Sequence, residues 1–366
     1  MKYARFSNQY KYQMQKRPDD WTRWPRDGNI GDCIQSIAVE NIYQKAGINV
    51  NDILLVNRDD LNIYDGEECQ LVMNAWFGNY AGIFPLPWSD KVKPIFLGFH
   101  LNTINNSRQR FLKEKIFEKM MPYQPIGCRD RNTANFLKEC GLNTYFSGCI
   151  TLTFDKRKQE PENGKIFIID LTKQAYENLP LEIKEKADMS ITHFYYWNEY
   201  PVTVNGAKEF EQEARKILKR YEKEASLVIT SKIHVAMPYI AMGIPVIFIN
   251  EDIANERFDV LRGLIPMYET KHMHFVDWNP KPANIESLKA AIINNAISAI
   301  KGQDQTKSIE KLNNITSSLI PIDYLPKNTF FQTSKKGNFL CQHKFKHGYV
   351  KTYVLGICVK KKKYRK

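Results

Sequence analysis

Residues 227–249 read LVITSKIHVAMPYIAMGIPVIFI. Leu227 to Thr230 has the composition of a buried strand and runs into a polar corner, Ser231-Lys232. A helical pattern follows from His234 to Met242, then a second strand-like run from Pro245 to Ile249. A strand, a helix and a strand joined by short turns close as a parallel pair crossed by the helix, the repeating unit of α/β sheets. The apolar stretch Ile233 to Asn250 contains His234, Pro238, Gly243 and Pro245, so it reads as a buried helix and strand rather than a membrane span.

Working outward, the same rhythm fills the chain. Ile34 to Ala46 predicts a helix ended by Gly47, with Asp32 as its N-cap. Leu71 to Asn74, Pro94 to Phe99 and Thr144 to Phe146 predict strands, and Phe111 to Met121 and Thr133 to Cys140 predict helices, the second stopped by Gly141. The polar run DKRKQEPENG, residues 155–164, separates this cycle from a second one: a strand at Ile166 to Leu171, a long helix at Ala207 to Glu224, the quoted unit, and two helices within 285–320. A chain of 366 residues exceeds one ordinary core. The expectation is two α/β domains with parallel sheets facing across a cleft, residues 1–155 and 156–326, plus a tail at 327–366.

The formal charge of +13 is confined to that tail, which holds 11 Lys and Arg365 with no Asp or Glu, leaving the first 326 residues at +1. A near-neutral body argues against nucleic acid as a partner. The tail ends in YVLGICVKKKKYRK, whose apolar part is too short to span a bilayer, but a basic, partly apolar end suits an anionic membrane surface. A solvated tail is the alternative. The first 20 residues lack an apolar run, so no leader is expected. Seven Cys without a C-x-x-C pair suit reduced thiols in a cytoplasmic protein, and no metal is expected. The 45 aromatics suit a large core first, with a sugar-binding face as the alternative.

Three corners could carry chemistry. Asp27-Gly28-Asn29-Ile30-Gly31-Asp32 precedes a helix, where glycine allows close backbone approach to a ligand and the helix start offers free N–H groups. Gly127-Cys128-Arg129-Asp130 places an Arg before another helix, able to clamp phosphate or carboxylate or to pair with Asp130. Thr230-Ser231-Lys232-Ile233-His234 puts a cation and an imidazole at the carboxyl end of a parallel strand, with Ser231 as the N-cap. His100 follows a strand and could line the cleft. His193 lies in an aromatic run, Phe194-Tyr195-Tyr196-Trp197, suited to sugar. His272 and His274 alternate without an acidic partner in ligand spacing.

Taken in order, Gly28 to Gln35, Met73-Asn74-Ala75-Trp76-Phe77, Gly98-Phe99-His100, Ile126 to Asp130, Tyr145 to Thr153, Leu227 to His234 and Gly243 to Phe248 resemble the polysaccharide pyruvyl transferase family over residues 27–260. The resemblance implies two Rossmann-like domains in a GT-B-like arrangement. It implies transfer of pyruvate from phosphoenolpyruvate, as co-substrate and with no cofactor, onto two hydroxyls of one sugar. That sugar would belong to a bacterial surface polysaccharide, or to its lipid-linked precursor at the inner leaflet. In such enzymes the last motif commonly reads Ser-Arg-Leu-His, with the Arg gripping the donor and the His catalytic. Here those positions are Lys232 and His234, and the family's Gly-Cys-Arg-Asp arginine is Arg129. The implied assignments are His234 as catalytic proton donor, Lys232, Arg129 and Ser231 on the donor, and Asn29, Gly31, Asp32, Asn74, Trp76 and His100 on the acceptor or cleft. Lys232 keeps the charge of Arg but loses its bidentate fork. Two other functions fit the same architecture: a glycosyltransferase using a nucleotide-sugar donor, and a non-catalytic glycan-binding subunit.

Overall fold

The structure is a computed structural model that describes residues 1–8, 27–78, 85–103, 106–196, 204–320, 341–346, 349–354 and 357–363. It is an α/β fold containing several parallel sheets. Four parallel strands, in the order Leu54–Asn57, Lys2–Ser7, Cys69–Val72 and Val92–Ile95, form one sheet. Five parallel strands form another, in the order Ala187–Asp188, Lys165–Ile169, Ala225–Thr230, Val246–Asn250 and Met267–Glu269.

The five-stranded sheet is buried on both faces, which is why its strands read as continuous apolar runs rather than alternating ones. Phe167, Ile169, Val228, Val246 and Phe248 share a core with the helices Ile30–Lys45, Val204–Glu224 and Ile233–Ala241. Ile168, Leu227, Ile229, Ile247 and Ile249 face the other way, onto Ala175, Leu179, Tyr268 and Met273.

The helix Ile30–Lys45 is shared by the two cycles of the chain. Its buried residues lie in the same core as the second sheet. The strand before it, Asp27–Asn29, pairs antiparallel with Phe194–Tyr196, and Ile30 N–H donates to the His193 carbonyl at 2.9 Å. Arg5 and Arg215 each bridge Glu40 and Glu211, tying the strand Lys2–Ser7 and this helix to Val204–Glu224.

The helix starts four residues before the expected Ile34, because Asn29 rather than Asp32 caps it, accepting from Gly31 N–H at 2.9 Å. The expected helix at 111–121 is two, Ser107–Lys113 and Ile116–Met120, broken where Lys115 adopts φ 50°. Gly47 and Gly141 end their helices with φ of 81° and 85°, as their positions suggested. Within the tail, Cys341–Lys346, Tyr349–Val354 and Ile357–Lys363 form a three-stranded antiparallel sheet that composition did not suggest. Residues 327–340 of the tail, and Trp197, lie outside the described residues. No described helix is long and apolar enough to cross a membrane.

Candidate active site

The carboxyl ends of adjacent parallel strands build the Ser231-Lys232 corner. Thr230 Oγ1 donates to the Ile169 carbonyl at 2.9 Å and accepts from Lys232 N–H at 3.1 Å. Ser231 Oγ donates to the Asp170 carbonyl at 2.6 Å, and Asn250 Nδ2 donates to the Ser231 carbonyl at 3.3 Å. Ser231 is therefore not the N-cap expected from its position. Lys232 occupies that position without a side-chain capping bond, and the serine hydroxyl ties the turn to the neighbouring strand instead. Asp170 is held at φ 49°, a left-handed conformation unusual for a residue with a Cβ. Its carboxylate accepts from Thr192 Oγ1 at 2.7 Å and from His193 N–H at 3.0 Å, contacts that compensate that conformation. Half-buried Lys232 has its proton affinity lowered by burial, against the pull of Asp170.

One turn on, His234 is buried in the helix Ile233–Ala241, and neither ring nitrogen has a hydrogen-bond partner among the described residues. Burial first, then the charges of Arg129 and Arg257, push its pKa well below the ordinary value and keep it neutral near pH 7. His193, beside it, sets Nε2 against the Tyr221 hydroxyl and is pulled down to about 3 by burial and Lys232.

Arg129 follows the strand Ile126–Cys128, and its N–H donates to the Phe99 carbonyl at 2.9 Å. Its side chain is fully buried, and none of its three guanidinium nitrogens finds an acceptor among the described residues. The simple alternative, pairing with Asp130, does not occur, because the Asp130 carboxylate is otherwise engaged. Oδ1 accepts from Thr133 N–H at 2.7 Å, capping the helix Arg131–Glu139, and Oδ2 lies 2.6 Å from His100 Nδ1. Burial would raise Asp130, but His100 and the Thr133 N–H hold it below its usual value. His100 is fully buried and lowered to about 4, by burial and then by Arg129, so the imidazole is neutral with Nε2 unpartnered.

The remaining expected residues divide. Asp32 pairs with Arg58 at 3.2 Å, and Arg58 stacks 5.1 Å from the Trp76 ring centroid. Trp76 is paired with His100 across a short parallel ladder, so Trp76, Asp32 and His100 adjoin the Arg129 corner. Gly31 packs directly on His234, and Asn29 turns its amide oxygen back to the helix start. Asn74 is buried against Cys149, with its Nδ2 unpartnered. His272 does have an acidic neighbour, Glu269, at 3.1 Å from Nδ1, overlooked because it lies three residues earlier. No group of three His, Cys, Asp or Glu suited to a metal occurs among the described residues, and Cys33, Cys69, Cys128, Cys140 and Cys149 are free thiols.

Arg257, Asp170 and Arg58 are the residues that sequence reasoning missed. Arg257 acts electrostatically on Arg129, Lys232 and His234, yet it sits in an acid-rich loop, Glu251 to Asp259, that reads as ordinary surface. Its one legible signal was its place after a parallel strand.

The family model for polysaccharide pyruvyl transferase matches residues 29–253. A comparison with curated proteins gave no significant match. Among solved structures, an uncharacterized protein from Klebsiella pneumoniae is similar at 14% identity, covering 70% of this chain and 87% of that one, with a TM-score of 0.41.

Proposed function

Because this chain belongs to the polysaccharide pyruvyl transferase family, a family of transferases, we propose that it moves the pyruvyl group of phosphoenolpyruvate onto two hydroxyls of one sugar, in a bacterial surface polysaccharide or its lipid-linked precursor. The observation that carries this reading is the Arg129 guanidinium, fully buried without an acceptor among the described residues, in electrostatic reach of His234, whose ring nitrogens are unpartnered there too. A buried polar group left unpaired costs about 1–3 kcal/mol, more if charged. A fold tolerates several together where a ligand completes them, and a cluster of cations calls for a polyanion.

On this reading the chain divides at residues 155/156 into two Rossmann-like halves, with the donor between Arg129 on one side and Lys232 and His234 on the other. Arg129 and Lys232 hold phosphate and carboxylate. His234, recharged by the bound trianion, delivers a proton to the methylene carbon, and the neighbouring carbon becomes electrophilic. A sugar hydroxyl adds there and gives its proton to His100 Nε2, which Asp130 orients through Nδ1. A second hydroxyl then displaces phosphate and closes the ketal. His100 passes the first hydroxyl proton to the departing phosphate, and the proton of the second hydroxyl restores His234. Arg58, Trp76 and Asp32 offer a stacking ring and polar groups for the sugar. The test is incubation of candidate lipid-linked glycans with phosphoenolpyruvate, followed by mass spectrometry and a phosphate assay. A gain of one pyruvyl unit with phosphate release supports the reading. Nucleotide release from a nucleotide sugar, without phosphate from phosphoenolpyruvate, would overturn it.

A further inference from the structure

We infer that Arg257 is a third donor-binding residue, supplying the planar guanidinium fork that Lys232 lacks. The inference rests on the proposed donor, but its geometry is independent of that assignment. Arg257 lies four residues beyond the family-matched span, in the loop after the strand Val246–Asn250. Its two sides are pinned to the other half of the chain. Glu256 Oε1 accepts from Thr103 Oγ1 at 2.8 Å, next to the strand that carries His100. Asp259 accepts from Arg131 N–H at 2.8 Å and from its guanidinium at 3.2 Å, two residues past Arg129. Asn255 caps the turn by accepting from Arg257 N–H at 3.0 Å.

These contacts place Arg257 between the segments bearing His100 and Arg129 and the corner bearing Lys232. Among the described residues no carboxylate lies within ion-pair distance of its side chain, which stays open to solvent though protein surrounds it. Arg129 lowers the proton affinity of Arg257, and Arg257 that of Lys232, so an anion bound among them relieves a repulsion that Asp32, Glu256 and Asp170 only partly offset. A lysine offers a point charge, whereas a guanidinium matches two oxygens of a phosphate or carboxylate at once.

The test measures phosphoenolpyruvate KM and kcat, and inorganic phosphate Kd, for wild type, Arg257→Ala, Arg257→Lys and Arg257→Ala with Lys232→Arg. Arg257→Ala should raise KM and phosphate Kd roughly 10–100-fold, with a smaller effect on kcat. Arg257→Lys should fall between, and Lys232→Arg should restore most of the loss by returning a fork. Circular dichroism checks that each variant folds. An Arg257→Ala enzyme with wild-type KM and phosphate Kd overturns the inference, and an Arg257→Lys enzyme equal to wild type overturns the fork. If the wild type ignores phosphoenolpyruvate, the donor assignment fails by itself, and phosphate Kd still decides whether Arg257 binds an anion.

Discussion

Gly31 and His234, 203 residues apart in the chain, are in direct contact: a β-carbon placed on Gly31 would lie 2.6 Å from His234 Cβ. The turn at the start of the helix Ile30–Lys45 is thus the floor on which the imidazole rests. Helix propensity alone says that Gly31→Ala should stabilise by up to about 1 kcal/mol. The contact says the reverse, because 2.6 Å is closer than real β-carbon contacts come and the neighbour is a buried backbone-proximal atom. Gly31→Ala should cost about 1–3 kcal/mol in chemical denaturation and lower kcat at least tenfold as His234 shifts. A more stable variant with unchanged kcat would show that the imidazole has room to move.

Arg129 presents the opposite trade. As a buried charge without an acceptor among the described residues it costs the unliganded fold stability, so Arg129→Met should leave that fold equally stable or more stable, by on the order of 1–3 kcal/mol. Activity should disappear, and so should the rise in Tm that inorganic phosphate gives the wild type. A strongly destabilised Arg129→Met would mean that the guanidinium serves the fold.

Much of the scaffold was legible because its signals are local. The apolar runs around Ile229 and Ile247 and the glycine stops at 47 and 141 depend on a few consecutive residues, and the strand at Thr144–Phe146 appears where it was expected. The misreadings share a cause. Asp32 looked like a cap, but Asn29 took that role because the strand Asp27–Asn29 is held by Phe194–Tyr196, far along the chain. Ser231 looked like a cap too, but its hydroxyl reaches the Asp170 carbonyl just past the neighbouring strand Lys165–Ile169. Asp130 and His100, 30 residues apart, form a pair whose partners only tertiary structure selects. Arg257 was hidden for the same reason: its acidic sequence neighbours, Glu256 and Asp259, spend their charge on Thr103 and Arg131.

Acid should unfold this protein earlier than its carboxylates alone require. In the unfolded chain an imidazole takes up a proton below about 6.5. Folded His100 resists protonation until about 4 and folded His193 until about 3. Across that window the unfolded state binds more protons, so stability falls as pH falls. The two sites together should remove on the order of 3–4 kcal/mol between pH 7 and pH 5. Urea titrations at pH 7, 6 and 5 measure it, and a flat profile would refute the neutral buried imidazoles.

In the tail sheet, Lys344 pairs with Lys351 and Lys351 with Lys361 in backbone register. The tail carries 11 Lys and Arg365 without Asp or Glu, a composition suited to an anionic surface. With basic residues contributing about 1 kcal/mol each at such a surface, deletion of residues 327–366 should abolish co-sedimentation with phosphatidylserine liposomes. Turnover of a water-soluble acceptor should be unaffected. Undiminished liposome binding by the truncated chain would place the attachment elsewhere.

Proton delivery by His234 requires that the donor itself arm the acid. Burial and the Arg129 and Arg257 charges keep the imidazole neutral, so a bound anion must reverse that balance before a proton is available. Sulfate isolates the effect, because it carries two charges at every pH of interest and does not react. Calorimetry near pH 6.5, in two buffers of different ionisation enthalpy, should show close to one proton taken up per sulfate bound. The His234→Gln variant should bind sulfate with little or no uptake. Sulfate affinity in the wild type should rise as pH falls from 7.5 to 5.5, since the state that binds the anion also binds the proton. Equal proton uptake by wild type and His234→Gln would move the titrating group away from this imidazole, and the acid in the proposed chemistry would have to be sought at His100 or Lys232.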